Sequence, residues 1–175
     1  MIFIPLEIEG AFLITREANE DERGYFARSY CEKEFEAAGI KMHICQINVC
    51  VNKEKNTLRG MHLQLGEKAE DKLVSCNRGA IYDVFVDMRK NSKTYLKYYA
   101  HELSEKNGCM LYIPKGCAHG YLTLQNDCQL LYLMSEFYEP GASTGYKYDD
   151  PVFGIEWPSK DNLIISDKDK KWDYL

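Results

Sequence analysis

Between residues 46 and 136 the chain is a succession of short runs rich in Val, Ile, Leu and Tyr, each closed by Asn, Gly, Lys or Pro. Apolar runs this short, bounded by turn residues, have strand length; helices need about ten residues or more. They predict strands at 46–51, 57–64, 72–77, 80–88, 94–102, 109–113, 119–124 and 128–136. No helical pattern separates them, which points to a sandwich or barrel and away from βαβ units. In Ala80–Met88 the alternation sets Tyr82, Val84, Val86 and Met88 on one face and Ile81, Asp83, Phe85 and Asp87 on the other, with one face in the core. Ser29 and Glu32 have capping-box spacing, Cys31, Phe35 and Ala38 share a stripe, and Gly39 can end the element, so a single short helix is expected over 30–38. After residue 148 the chain is polar and turn-rich, which suits loops and a short helix packed over the barrel. No repeat or linker divides residues 1–175, which are read as one all-β domain.

A net charge of -5 excludes a nucleic-acid backbone as the main partner, because phosphate neutralisation needs a basic face. The N-terminal apolar run is broken by Pro5 and lacks a basic region, and no apolar stretch is long enough to span a bilayer. A cytoplasmic protein without a membrane partner is expected. Seven cysteines form no C-x-x-C pair, so disulfides and a thiolate metal site are not expected. Cys117 alone lies beside a motif of chemical interest.

Two of the four histidines stand in such motifs: Leu58-Arg-Gly-Met-His62-Leu-Gln64 and Ile113-Pro-Lys-Gly-Cys-Ala-His119-Gly. His43 and His101 read as surface or packing residues. A small barrel can hold a metal through His-x-His on one strand, but here the second position is Gln64, a poor ligand. Without a metal, His62 is a candidate general base, because imidazole accepts a proton near neutrality. A carboxylate would orient it, with Asp83, Asp87, Asp167 and Asp169 all open as partners. Tyr132 is either packing or a proton donor, and Lys72 either a solvated strand-end charge or a cation for an enolate oxygen. Arg23 and Arg59 each adjoin a glycine and, with Lys168, could hold a diphosphate. In a regular strand Arg59 and His62 point to opposite faces, so a shared ligand requires either a bend or bulge at Gly60 or an Arg59 that reaches around from the strand end.

Those two motifs and Gly79–Arg89, with Asp21-Glu-Arg-Gly-Tyr-Phe26, Ile155-Glu-Trp-Pro158 and Ile165-Ser-Asp-Lys-Asp169, resemble the dTDP-4-dehydrorhamnose 3,5-epimerases almost from end to end. The resemblance implies a cupin-like double-stranded β-helix, a homodimer, and no metal or organic cofactor. It implies an isomerase that inverts C3, C5 or both in a nucleotide-linked 4-keto-6-deoxy sugar destined for cell-surface polysaccharide. His62 would be the base, Asp169 its partner and Tyr132 the acid on the other sugar face. Lys72 and His119 would contact the sugar. Arg23, Phe26, Arg28, Gln46, Asn48, Arg59, Tyr138 and Lys168 would complete the substrate-binding set. Family members commonly carry glutamate where this chain has Arg28 and Ser143, which changes the hydrogen-bond code shown to the ligand and leaves dTDP, GDP and CDP, hexose and heptose, all open. A 3,4-ketoisomerase and a non-catalytic sugar-nucleotide binding module are the alternatives on the same fold.

Overall fold

A computed structural model describes residues 1–175. The chain opens with β1 (Ile2–Pro5), β2 (Phe12–Thr15), β3 (Ala18–Asp21), β4 (Gly24–Ala27) and helix α1 (Glu32–Ala37). There follow β5 (Gln46–Asn52), β6 (Thr57–Gln64), β7 (Lys72–Arg78), β8 (Ala80–Asp87) and β9 (Tyr98–Ser104). The remainder comprises β10 (Cys109–Ile113), β11 (Cys117–Thr123), β12 (Cys128–Met134), β13 (Ser143–Gly145), β14 (Ile164–Ile165) and helix α2 (Asp167–Lys170). One sheet runs β1-β2-β10-β7-β12-β5 and the other β13-β6-β11-β8-β9, with β14 added in parallel to β6. These two facing sheets make the cupin-like fold that the sequence resemblance implied. No helix is long and apolar enough to cross a membrane.

Apolar residues fill three layers. Val74, Phe85, Leu111, Tyr121 and Leu130 pack between the sheets. Phe35 of α1 closes the outer face of the first sheet over Ile14, Leu73 and Met110. Phe153 and Trp157, from the turn-rich C-terminal stretch, close the outer face of the second over Leu58, Val84 and Val86. The central strands are therefore buried on both sides. This corrects the one-face reading of β8, where Ile81, Asp83, Phe85 and Asp87 are buried and so are Val84 and Val86. Alternation decides which layer a residue joins, and the near-continuous apolar run is what two-sided burial requires.

Other boundaries differ for local reasons. The expected capping box does not form: the N-cap is Cys31, with no side-chain bond, so Glu32 opens the helix instead of reaching back from its third position. Burial of Phe35 against Phe3 and Tyr30, at ring centroid distances of 5.1 and 4.8 Å, holds the helix in place. β9 starts at Tyr98, later than expected, because Asp87 accepts bonds from Ser92 and Thr94 and folds the preceding residues into a turn. The four strands before residue 28 escape a periodicity reading because each is only four residues long.

The anticipated irregularity at Gly60 is present. Arg59 pairs with Tyr121 and His62 with His119, so Gly60 and Met61 together oppose Gly120. One extra residue in β6 turns Arg59, His62 and Gln64 all inward while Leu58, Met61 and Leu63 stay in the outer layer. Gly60 has φ +132°, and a Cβ there would lie 2.5 Å from the Gly120 Cα. Gly60→Ala is expected to destabilise the protein by about 3 kcal/mol or more, read as a lower denaturant midpoint; an unchanged midpoint would show that the bulge tolerates a side chain.

Candidate active site

A cavity of about 300 Å³ opens between the sheets, with β6 and β11 on one wall and β7, β12 and β5 on the other. His62, Lys72, His119, Arg59, Asn48, Tyr132, Tyr138 and Lys168 all line it, as does Ser143. Gln46 lines an adjoining recess with Asn48 and Tyr138.

His62 Nε2 lies 2.7 Å from Asp169 Oδ1 across a sequence separation of 107 residues. Asp169 reaches it because β14 pairs with the start of β6, setting Ile165 beside Leu58, and the chain then turns into α2. The Ser166 hydroxyl caps this helix by accepting the Asp169 N–H at 3.1 Å. The carboxylate also accepts the Trp172 indole N–H at 3.3 Å and the Gly60 N–H at 3.4 Å. Burial opposes its ionisation, but the His62, Gly60 and Trp172 contacts outweigh burial and hold the carboxyl below its ordinary range. A charged Asp169 fixes the imidazole through Nε2 and leaves Nδ1 without a protein partner.

The other three carboxylates considered for His62 have different places. Asp83 is fully buried and contacts His119 Nε2 with both oxygens, at 3.0 and 2.9 Å. Burial pushes its carboxyl up, against the opposing pull of His119. Asp87 is also buried, but bonds from Arg89, Ser92 and Thr94 overcome burial and hold it at about 2, as befits a structural turn anchor. Asp167 is exposed, with Lys170 its nearest cation.

Across the cavity from His62, burial pushes the Tyr132 phenol well above its usual range, so it carries its proton at neutral pH. Lys72 Nζ lies 2.6 Å from Glu70, both side chains being buried. Arg59 donates from Nε to Asn52 at 2.9 Å, which steadies the guanidinium at the cavity wall. Lys168 sits over the Trp172 ring, 5.7 Å from its centroid, on the same helix that supplies Asp169. Gln64 is engaged elsewhere: its amide donates to the carbonyls of Lys68 and Phe137 and accepts the Glu139 N–H, pinning the loops at the cavity rim. No three His, Cys, Asp or Glu side chains gather in a way that could hold a metal ion. Cys117 is buried, which pushes its thiol up to about 12 and leaves it unreactive.

Three expected ligand residues are not brought to this cavity within the chain. Arg23 and Phe26 lie on the β3–β4 hairpin, Arg23 paired with Asp21 and Phe26 76% exposed, and Arg28 pairs with Glu34 of α1. Conversely, Glu70, Cys50, Tyr121 and Met134 line the cavity without having been singled out in the sequence. Glu70 lies outside β7, two positions before Lys72, so strand alternation gave no signal for it.

The model of the dTDP-4-dehydrorhamnose 3,5-epimerase family matches residues 5–175. The chain belongs to this family. It is 42% identical over 172 residues to the dTDP-4-dehydrorhamnose 3,5-epimerase of Methanothermobacter thermautotrophicus, an alignment covering 97% of this chain and 92% of that one. The crystal structure of the Bacillus anthracis epimerase with TDP and pyrophosphate bound superposes with a TM-score of 0.96 at 36% identity, covering 99% of both chains. The Legionella pneumophila enzyme in complex with dTDP-4-keto-L-rhamnose gives 0.94 at 32% identity, over 99% of this chain and 92% of that one. Membership makes the chain an isomerase acting on carbohydrates, of the epimerase type.

Proposed function

We propose that the protein inverts C3 and C5 of a dTDP-linked 4-keto-6-deoxy sugar, with His62 as base and Tyr132 as acid. The observation carrying this reading is the His62–Asp169 contact on one sheet facing a protonated Tyr132 on the other. The ketone at C4 acidifies the hydrogens on C3 and C5, because either carbanion delocalises onto the oxygen as an enolate. His62 takes the proton and becomes an imidazolium, which the Asp169 carboxylate stabilises. Lys72 and the His119–Asp83 pair offer positive charge and a donor to the enolate oxygen. Tyr132 then protonates the carbon from the opposite face, which inverts the centre. Exchange with solvent restores both groups, and no other reactant is consumed.

Arg59, Lys168, Asn48, Gln46 and Tyr138 line the outer part of the cleft and suit the diphosphate and base. The proposal extends to a homodimer. β5 is an open sheet edge whose outer face exposes Ile47, Val49 and Val51, and the β3–β4 hairpin projects Arg23 and Phe26 away from the chain's own cavity. A second copy covering β5 would remove that apolar stripe from water and bring such a hairpin near a neighbouring cleft. Ser143 faces the cavity as a small hydroxyl, so GDP- and CDP-linked sugars belong in the substrate panel.

In deuterated water, the protein with dTDP-4-keto-6-deoxyglucose should incorporate deuterium at C3 and C5, followed by NMR. Exchange at a single carbon would define a single-centre epimerase. No exchange with dTDP, GDP or CDP substrates would overturn the reading.

A further inference from the structure

Glu70 is a buried acid that the epimerisation chemistry above does not use. It stands two residues before β7, which opens at Lys72, and its side chain is 4% exposed. Oε1 is ion-paired with Lys72 Nζ at 2.6 Å, whereas Oε2 is buried without any hydrogen-bond partner. Only two buried side-chain polar atoms in the chain share that condition, the other being the Arg16 Nε. A carboxylate oxygen withdrawn from water without a donor is costly, so such an atom on a residue that lines a cavity marks a place where a donor belongs.

The position of Glu70 says which donor. It lines the same cavity as His62, Lys72, His119 and Tyr132, and also the adjoining recess with Gln46 and Tyr138, so it borders both the sugar end and the outer end. A carboxylate accepts only, so it is blind to the ketone and to phosphate oxygens and reads hydroxyls. The salt bridge to Lys72 fixes Oε1 and thereby fixes the direction of Oε2.

We infer that Glu70 is a specificity-determining substrate residue whose Oε2 accepts a hydrogen bond from a ring hydroxyl of the bound sugar. This rests on the proposed sugar-nucleotide substrate. The same carboxylate holds Lys72 in place, so one residue would couple recognition of the hydroxyl to placement of the enolate-stabilising cation. A hydrogen bond to a charged acceptor is worth about tenfold to hundredfold in affinity.

The test is a cycle between residue and ligand, read by calorimetry with dTDP, dTDP-glucose and the 2-deoxy and 3-deoxy forms of dTDP-glucose, none of which carries the ketone needed for turnover. Wild-type protein should bind one deoxy ligand about tenfold or more below dTDP-glucose. Glu70→Gln should erase most of that difference while binding dTDP as wild type does, which a merely structural role would not produce. Should the glutamine variant fail to fold, Glu70→Asp, which keeps the charge and withdraws it by one methylene, enters the same cycle. Equal discrimination in wild type and variant overturns the inference, as does wild-type protein that ignores both hydroxyls or does not bind dTDP-glucose. Normal cycle coupling without deuterium exchange would instead remove the epimerase reading and leave Glu70 as a sugar-reading residue.

Discussion

His62→Ala is expected to abolish deuterium incorporation at C3 and C5 together. Loss of a positioned general base costs about 10²- to 10⁴-fold, enough to take a cofactor-independent proton abstraction below detection. The simultaneous loss is the sharper part of the expectation. Both carbons flank the same ketone, and in the proposed mechanism His62, held by Asp169, is the one base for both centres. Retention of exchange at either carbon would show a second base in the cavity and sink the single-base mechanism. Nucleotide affinity should survive, because Arg59 is held by Asn52 rather than by the imidazole; dTDP binding by the variant checks this.

Asp169→Asn should lower the rate by about 10²- to 10⁴-fold while leaving KM for the sugar nucleotide nearly unchanged, since Asp169 is buried behind the ring. The amide removes the charge that stabilises the imidazolium and presents the wrong hydrogen-bonding group to Nε2. A stability signature accompanies the loss. The folded carboxyl is held below its ordinary value, so the unfolded state binds its proton more readily. The stabilisation is therefore fully present above the unfolded carboxyl range near pH ~3.9 and is lost as pH falls through the lower folded value. Denaturation of wild type and Asp169→Asn across pH 2 to 7 should show the difference between them shrinking toward the acid end. A constant difference would mean that the carboxyl's ionisation does not contribute to stability.

The central strands were readable because apolar runs bounded by Gly, Asn and Pro have few other solutions, and β5 to β8 and β10 start where those runs start. The helix was placed correctly for a reason only partly correct: Phe35 supplies a buried anchor, while the Ser29–Glu32 pair does no capping. β8 was underestimated because alternation shows two faces and cannot say that loops from residues 153–157 will cover the second. In the cavity, residue types marked His62, Lys72 and Tyr132 as candidates and the family resemblance supplied their roles, whereas Glu70 was passed over beside its more conspicuous lysine.

His62 illustrates where sequence stops. Its motif and the glutamine at 64 spoke against a metal ligand and left a base or a core histidine, and the glycine at 60 offered a bulge as one of two ways to set Arg59 on the same side. Those are local consequences of strand geometry, and a sequence states them directly. Choosing Asp169 from four carboxylates was a different matter. Family resemblance named it, but the residues alone could not, because the choice depends on a parallel pairing of β14 with β6 that joins positions more than a hundred residues apart. The same long-range packing buries Asp83 against His119 and Glu70 against Lys72. Composition and alternation supplied the strands and the reactive side chains; only the tertiary structure decided which charges face each other and which oxygen is left without a partner, because both depend on water being excluded by distant chain.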